Sequence, residues 1–219
     1  MFFTPELGRW STVGELGVMI DELTQGLALL KEDVYVITPY YNVNRKGEAG
    51  YLAKDPASFS HVKNIHIGVA KELHTIGVHR PVINNVKLVF LHNFTLFSIA
   101  YAKGTAGYIL RQIAAFAKAE LEYLYSEKLI PSVIATNNWY TGLVAAYKGL
   151  KAFDSVFDGT TFIRIFHNLQ ELYEGRLYPT RNEGTLDYIH ELPADLLVDF
   201  TWHDIIINPS RCATMCSDQ

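Results

Sequence analysis

Three short polar segments contain the residues whose types and spacing could do chemistry. The first is a glycine turn, Thr12-Val13-Gly14-Glu15, which precedes an amphipathic stretch. Glycine lets a ligand approach the backbone closely, and N–H groups at the start of a helix attract anions such as phosphate. An ordinary tight turn, in which Glu15 favours the helix dipole, is the alternative. The turn therefore indicates either an anion-binding site or a plain helix start.

The second and third segments each follow a short apolar run. Residues 137–141 read Asn-Asn-Trp-Tyr-Thr, and their amide and hydroxyl groups suit either ligand binding or the capping of a helix. His167 and Asn168 follow the apolar run 162–166. Imidazole exchanges protons near neutral pH, but a lone histidine at the end of a strand is also a common structural residue. Both interpretations stay open from the residues alone.

Several familiar catalytic motifs are missing from the sequence. It contains no GxSxG, no HExxH, no P-loop ending in Gly-Lys-Ser/Thr and no complete GxGxxG. Hydrolase and dehydrogenase chemistry are therefore disfavoured. The two cysteines, Cys212 and Cys216, have a spacing that fits neither a zinc site nor a disulfide framework. We expect two reduced thiols in a cytoplasmic protein, and no metal site.

A helix and a buried strand must position the glycine turn. Directly after the turn, leucine and isoleucine recur at helical spacing, at Leu16, Ile20, Leu23, Leu27 and Leu30. The run 33–38 is β-branched and nearly all apolar, which predicts a strand that is buried on both faces and ends at Pro39. A βαβ unit then requires residues 1–3 as a short first strand.

The same alternation continues along the rest of the chain. Apolar patterns predict strands at 62–69, 72–78, 86–91, 133–136, 162–166 and 204–209, helices at 105–127, 139–150 and from Ser210, and irregular stretches at 41–55 and 170–200. Asn84-Asn85 predicts a hairpin turn. The predicted fold class is α/β, a Rossmann-like, doubly wound, mostly parallel sheet with an inserted meander of strands. In such sheets ligands bind at the carboxyl ends of the strands, where the three polar segments lie.

The composition excludes several classes of protein. The chain has 219 residues, of which 49% are hydrophobic and 19% charged, so it can bury a large core in one domain spanning residues 1–219. A net charge of −4 gives no electrostatic reason to expect nucleic acid. No apolar run approaches the roughly 20 residues that span a bilayer, and the first residues lack a secretory signal pattern. We therefore expect neither nucleic acid nor membrane as a partner.

Taken in order, the polar segments and their neighbours resemble the N-terminal domain of glycogen and starch synthases, which are glycosyltransferases of the GT-B fold. Glu6 and the turn at Thr12, Gly14, Glu15 and Leu16 stand at the spacings of the family's Glu and Lys-x-Gly-Gly-Leu. The further similar segments are Thr38-Pro39-Tyr40-Tyr41, residues 91–97 with Tyr101, Asn138-Trp139-Tyr140-Thr141-Gly142-Leu143, Phe166-His167-Asn168-Leu169 and Ile206-Ile207-Asn208-Pro209-Ser210. The matches run in order over the whole chain, which makes the resemblance specific.

The resemblance implies a reaction. Such enzymes move glucose from ADP-glucose or UDP-glucose onto an α-1,4-glucan (glycogen or starch), with retention of configuration and without a metal or other cofactor. His167 would contact the glucose and the reacting centre, and Asn168 would hold that turn.

The resemblance also divides the remaining candidates between donor and acceptor. Residues of the glycine turn would meet the phosphate or sugar of the donor; they are Thr12, Gly14 and Glu15. The residues expected to line the acceptor side of the cleft, which would receive the glucan, are Tyr40, Tyr101, Asn138, Trp139 and Tyr140.

Four positions depart from the family pattern. Thr12 stands where the family has Lys, Glu15 where it has the second Gly, and Val18 and Asn138 where it has Asp. At about 4 Å and an effective dielectric near 20, the Glu15 carboxylate would repel a phosphate charge by about 4 kcal/mol. The departures favour a second hypothesis, a non-catalytic glucan-binding or regulatory module, and a third is a GT-B transferase with a different sugar acceptor.

GT-B enzymes place the active site between two domains, and the second carries most nucleotide contacts. Nothing in this sequence corresponds to that C-terminal nucleotide-sugar domain, and the chain stops within a helical pattern. We therefore expect a fragment of a longer protein that is inactive by itself.

Overall fold

The computed structural model describes residues 1–42, 59–101, 106–148, 153, 155–165, 167, 198–201 and 204–206. The chain divides into two compact units: the first is Met1–Ile65 with Thr75–Ala102, and the second is His66–His74 with Lys103–Gln219. The assignment of residues 1–219 to a single glycosyltransferase domain stays a prediction.

The first unit is a parallel βαβ core extended by antiparallel strands. Its elements are β1 (Phe2–Phe3), α1 (Gly8–Ser11), α2 (Glu15–Leu29), β2 (Tyr35–Tyr40), parts of the hairpin strands β3 (His61–Val69) and β4 (Glu72–His79), β5 (Val82–Ile83) and β6 (Val86–His92). β1 and β6 both run parallel to β2, with Phe2 opposite Val36 and Tyr40 opposite His92. β4 and β5 pair antiparallel with β6. The predicted βαβ unit and the inserted meander are confirmed.

β2 continues two residues beyond the predicted stop. Pro39 is inside the strand, opposite Leu91, and the strand ends at Tyr40. A proline removes one donor from the ladder, and at the penultimate position of a strand that loss affects little of the pairing. The prediction that Pro39 stops the strand after Thr38 was therefore wrong by two residue pairs, and the correction brings Tyr40 into the sheet.

The buried face of α2 differs from the predicted leucine stripe. Leu16, Ile20 and Ala28 are buried, together with Thr24, whose hydroxyl donates to the carbonyl of Ile20 at 2.7 Å. Leu23 and Leu30, which were expected in the core, are 40% and 74% exposed. The residues at positions 16, 20, 24 and 28 share one face through i, i+4 spacing, and two of them are small enough for the helix to approach the sheet closely. The size of the side chains therefore determines which face of α2 is buried, whereas hydropathy alone predicted a different face.

The second unit contains the other parallel pair. Its elements are α3 (Ala106–Glu127), β7 (Val133–Asn137), a 3-10 turn (Trp139–Thr141), α4 (Leu143–Tyr147), β8 (Thr161–Ile165) and an antiparallel pair, β9 (Val198–Thr201) and β10 (Asp204–Ile206). β7 and β8 are parallel, with Asn137 opposite Ile165 at their carboxyl ends. The helix predicted over 139–150 is instead the 3-10 turn followed by the short α4. The α/β fold class with parallel core strands is confirmed.

Two cations of α3, Lys118 and Arg111, are paired within the second unit. The Lys118 ammonium donates to the carbonyl of Gly68 at 2.8 Å and lies 5.1 Å from the centre of the Tyr147 ring. Arg111 donates to Glu72 at 2.7 Å. Gly68 and Glu72 belong to the tip of the β3–β4 hairpin, so both contacts fix this tip to the helix. Glu120 is fully buried, and that burial raises the pKa of its carboxyl group.

Three predicted segments lie wholly or largely outside the described residues. They are the loop at 41–55, the aromatic stretch at 170–200 and the helix from Ser210.

Candidate functional site at the strand ends

A buried carboxylate binds the backbone amides of the glycine turn. Glu6 is 3% exposed, and its Oε2 accepts hydrogen bonds from the backbone N–H groups of Val13 (2.6 Å) and Gly14 (2.8 Å). The hydroxyl of Thr4 donates to the carbonyl of Glu6 at 2.7 Å and fixes the backbone of the acid. Two of the amides that could meet an anion are therefore already engaged by the chain's own carboxylate.

The hydroxyl of Thr12 is directed back into the fold. It donates to the carbonyl of Gly8, the first residue of α1, and packs against Gly17. A Cβ at position 17 would overlap this hydroxyl, so Gly17 is needed for the packing of Thr12. Thr12, the predicted donor residue, is thus held by contacts that stabilise the turn.

Gly14 and Glu15 form the open side of the turn. Gly14 has an extended backbone (φ −139°, ψ −158°), and a Cβ there would meet no atom within 4 Å. Neither strain nor crowding within the described residues therefore demands glycine at this position. Glu15 is exposed and begins α2, where a negative charge favours the helix dipole. The turn leaves room for a ligand beside a negative charge.

Tyr40 lies at the carboxyl end of β2 inside a cluster of aromatic and imidazole rings. It is 8% exposed, and its ring centre lies 4.8 Å from that of His92, 5.3 Å from His79 and 6.1 Å from Phe94. Burial raises the pKa of the Tyr40 phenol. Most of the ring is used in packing, while the neighbouring Phe94 is 47% exposed. Tyr101, the other tyrosine predicted on this side, is half-buried and has a left-handed backbone (φ 49°).

The imidazoles of this cluster predict an acid-sensitive fold. His79 and His92 lie 5.7 Å apart, as do His61 and His79. Burial, followed by the repulsion of His79 and His61, lowers the pKa of His92 from 6.5 to about 4, and burial also lowers that of His79. In the unfolded chain His79 and His92 have ordinary pKa values, so they bind protons at a higher pH than they do in the folded chain. The contribution of the neutral His92 imidazole to the free energy of unfolding is therefore complete above pH 6.5 and is lost progressively as the pH falls towards 4.

We expect the free energy of unfolding, measured by urea titration, to decrease from pH 7 to pH 4.5, and His92→Phe to flatten this decrease. Phenylalanine keeps the ring, and the Nε2 atom that it removes is buried without a hydrogen bond among the described residues. Equal pH dependence in both proteins would contradict this role of His92.

The second polar cluster joins two asparagines and a histidine at the carboxyl ends of β7 and β8. The Nε2 atom of His167 lies 2.9 Å from the Oδ1 of Asn137, and the backbone N–H of His167 donates to the Oδ1 of Asn138 at 3.0 Å. Asn138 has a left-handed backbone (φ 55°), and its own N–H donates to the carbonyl of Ile165 at 2.9 Å. His167 itself is exposed. Asn137 therefore orients the exposed imidazole at the sheet edge, and Asn138 fixes the backbone of His167.

The contact with Asn137 also fixes the tautomer of His167. An amide oxygen only accepts hydrogen bonds, so Nε2 carries the proton and Nδ1 is the acceptor nitrogen of the neutral ring. Asn137 is fully buried, and the hydroxyl of Thr141 closes the turn around it, donating to its carbonyl at 3.0 Å and accepting from its N–H at 2.7 Å. This arrangement orients the imidazole for one hydrogen-bonding geometry.

The remaining candidates have different surroundings. Tyr140 is 1% exposed and packs on Phe116, with ring centres 5.9 Å apart, so it belongs to the core of the second unit. Trp139 lies in the 3-10 turn, but its side chain is outside the described residues, as is Asn168. The glycine turn belongs to the first unit and His167 to the second. Their predicted meeting in one cleft stays a prediction.

Sequence reasoning missed two anchoring residues. Glu6 was noted only as part of the family spacing, and Asn137 only as a member of the segment 137–141, which was expected to bind a ligand or cap a helix. The usable signal for Asn137 was its position as the last residue of a buried strand, where a polar side chain needs a partner.

A metal site and a membrane-spanning helix are both absent from the described residues. Within them, no group of three or more His, Cys, Asp or Glu side chains is placed to hold a metal ion. No helix in the described part of the chain has the length and apolar content that crossing a membrane requires.

Comparison with known proteins identifies the family. The profile described as the starch synthase catalytic domain matches residues 1–219, the whole chain. The chain belongs to this family. It is 30% identical over 211 residues to a glycogen synthase of Myxococcus xanthus, covering 93% of this chain and 40% of that protein. It is 28% identical over 175 residues to a glycogen synthase of Hydrogenobaculum, and this match covers 76% of this chain and 33% of that protein.

The fold is similar to that of a solved starch synthase domain. The catalytic domain of starch synthase IV from Arabidopsis thaliana, bound to ADP and acarbose, aligns with a TM-score of 0.76 at 18% identity and covers 99% of this chain and 43% of that one. The present chain therefore spans about a third to two fifths of the length of these starch and glycogen synthases.

Proposed function

We propose that this chain is the acceptor-side domain of a glycogen or starch synthase-like glucosyltransferase. In this proposal glucose passes from ADP-glucose or UDP-glucose to the non-reducing end of an α-1,4-glucan, with retention of configuration. The observation that carries the proposal is the exposed imidazole of His167 at the carboxyl ends of two parallel strands, where Asn137 binds its ring and Asn138 its backbone. Ligands of open parallel sheets bind at such strand ends.

The proposed chemistry assigns a limited task to this chain. Negative charge develops on the leaving diphosphate, and positive charge develops on the glucosyl ring as it becomes oxocarbenium-like. His167 would hydrogen-bond the glucose and hold the reacting carbon in place, since its ring is fixed through Nε2. The nucleotide contacts and a carboxylate would come from the second domain that GT-B enzymes use, and the reaction needs no metal. A cytoplasmic location accompanies this proposal.

Glu15 is proposed to weaken donor binding. Its exposed carboxylate lies at the start of α2, beside the open space at Gly14. We expect Glu15→Gln to tighten the binding of ADP-glucose or UDP-glucose by about tenfold or more, since one like-charge repulsion is removed. Isothermal titration calorimetry on the full-length protein that carries this chain measures the change. Glu22→Gln, an exposed substitution about two helical turns after Glu15 in α2, is the matched control. Equal affinity in wild type and Glu15→Gln would show that Glu15 lies away from the donor.

A non-catalytic glucan-binding module remains the second candidate. The residues that favour it are Thr12, which stands where the family has Lys and whose hydroxyl donates to the carbonyl of Gly8, and Glu15, whose exposed carboxylate stands where the family has Gly. Calorimetry separates the two proposals. Binding of both glycogen and a nucleotide sugar by the full-length protein supports the transferase, whereas binding of glycogen alone supports the module. The 219-residue chain alone should transfer no glucose, and turnover by it would contradict the assignment to the acceptor side only.

A further inference from the structure

The first unit contains a small cavity at the amino end of β6. Its volume is about 130 Å³, and its lining includes Trp10 of α1, Asp21 and Gln25 of α2, and Asn84, Val86 and Leu88 of the β5–β6 hairpin. Tyr40 pairs with His92 at the opposite end of β6, six residues from Val86, which is roughly 20 Å along a strand. The cavity is therefore separate from the strand ends to which the transfer chemistry is assigned.

The cavity carries one negative charge that no cation of the described residues compensates. Asp21 is half-buried, and its Oδ1 accepts a hydrogen bond from the Gln25 amide at 2.9 Å. Among the described residues no Lys, Arg or His lines the cavity, and none forms an ion pair with Asp21. Gly8 leaves room for the carboxylate, since a Cβ there would lie 2.5 Å from Oδ2. A charge that is partly withdrawn from water needs a countercharge, so the site favours a cation as its ligand.

The buried side and one wall of the cavity are apolar and rigid. Val86 and Leu88 are each 2% exposed and form the buried side. The Trp10 ring is held edge-to-face by Phe59 and Phe90, with ring centres 6.3 Å and 6.0 Å away. The face of an indole attracts cations through its quadrupole. A flat cation can therefore use the apolar wall as well as the carboxylate.

The side-chain oxygens at the rim have spare capacity to accept hydrogen bonds. Asn84 donates to the Oε1 of Gln25 at 2.8 Å, while the Oδ1 of Asn84 has no hydrogen bond among the described residues. A carbonyl oxygen has two lone pairs, and a carboxylate accepts up to about four bonds. Asn84 is exposed and marks the mouth of the cavity. The oxygens of Asp21, Gln25 and Asn84 thus suit a ligand that brings several N–H donors.

We propose that this cavity binds a guanidinium group. A guanidinium is flat, its weakly hydrated faces stack on aromatic rings, and its edge presents N–H donors that match a carboxylate in a bidentate way. An ammonium is compact and strongly hydrated, so the apolar wall at Trp10 would strip its water without replacing it. A cavity of about 150 Å³ admits benzene, and a guanidinium is smaller than benzene, so a volume of about 130 Å³ suffices. The carbon chain of the ligand leaves through the mouth at Asn84.

Nuclear magnetic resonance tests the site on the 219-residue chain. Methylguanidinium chloride is added in the millimolar range, far below the concentrations that unfold proteins, and the indole resonance of Trp10 (assigned with Trp10→Phe) and the side-chain amides of Gln25 and Asn84 are followed. We expect these resonances to shift together, and Asp21→Asn to weaken the binding by about tenfold or more, since it removes a charged hydrogen-bond partner. Glu22→Gln, which removes the same charge from the neighbouring exposed position, should bind as the wild type does.

A second variant covers the case in which Asp21→Asn does not fold. Asn84 has a left-handed backbone (φ 52°) in an exposed turn, so Asn84→Gly preserves the turn while it removes one acceptor. We expect it to weaken the binding by about fivefold. Methylammonium should bind about tenfold more weakly than methylguanidinium, because it has neither the flat face nor the paired donors.

Four outcomes would overturn the inference. They are the absence of any shift with methylguanidinium, undiminished binding by folded Asp21→Asn, undiminished binding by Asn84→Gly, and equal binding of methylammonium, which would identify an unselective cation site. None of these results depends on glucosyl transfer.

The guanidinium belongs either to a free guanidino compound or to an arginine side chain of a partner protein, and two further titrations separate these sources. Arginine whose amino and carboxyl groups are blocked resembles an arginine within a protein. Tighter binding of blocked than of free arginine supports the site and assigns it to a protein partner. Tighter binding of free arginine supports the site and assigns it to a small molecule. If neither compound binds, the mouth does not admit the carbon chain and the inference is overturned.

Discussion

Replacing His167 with alanine in the full-length protein that carries this chain is expected to lower kcat by on the order of 100-fold, the usual effect of removing one well-placed hydrogen-bonding group from an active site. The imidazole is exposed and held through Nε2 by buried Asn137, so its removal deletes a positioned contact without opening the core. The melting temperature and the KM for glucan should stay close to those of the wild type. Initial rates with nucleotide sugar and glycogen give the answer.

Two variants make the His167 result interpretable. His66→Ala removes an exposed histidine from β3 and should leave kcat unchanged. Asn137→Ala removes the group that orients the imidazole, so it should reduce kcat less than His167→Ala and add little when the two are combined, because both act through one contact. Full activity of a folded His167→Ala protein would remove His167 from the mechanism.

Glu6→Ala is expected to destabilise the first unit by about 3 kcal/mol. The substitution leaves the Val13 and Gly14 amides without their acceptor, and hydrogen bonds to charged groups contribute about 1.5–3 kcal/mol each. For a chain of this size the melting temperature should fall by roughly 6 to 12 °C. Urea titration and thermal melting followed by circular dichroism measure both quantities.

Glu15→Ala is the matched control for Glu6. It removes the same side chain from an exposed position nine residues later, where only a favourable interaction with the helix dipole is lost. Glu6→Gln keeps an acceptor of the same shape without the charge. Its decrease in the free energy of unfolding should therefore lie between those of Glu15→Ala and Glu6→Ala. If Glu6→Ala were no less stable than Glu15→Ala, the buried carboxylate would not be holding the turn.

The helices and strands of this fold could be predicted from the sequence, because the periodicity of the apolar residues and the positions of the turn residues indicate the same elements. The Asn84-Asn85 turn is an example, since both residues adopt the left-handed backbone (φ 52° and 63°) that asparagine tolerates. The face of α2 was not readable, because Thr24 and Ala28 are buried by close packing while Leu23 is left exposed. Packing against a particular neighbour is information that one chain's hydropathy does not contain.

The candidate site was predictable to a similar extent. The positions of Asn138 and His167 after the carboxyl ends of strands followed from the predicted elements, whereas the pairing of these two strands was not predicted. Their bond could not be predicted, because it depends on the left-handed backbone of Asn138 and on the exact pairing of Asn137 with Ile165. The closure of the glycine turn by Glu6, seven residues before Val13, likewise requires the folded path of α1.

The most direct test of the proposed transfer is the fate of labelled glucose. The full-length protein is incubated with ADP-glucose or UDP-glucose carrying a radioactive glucosyl group, together with glycogen. The account predicts label in the polysaccharide that β-amylase, an enzyme acting on α-1,4 linkages at non-reducing ends, releases again. Glycogen that binds to the protein but stays unlabelled with both nucleotides would contradict the account and leave a glucan-binding module.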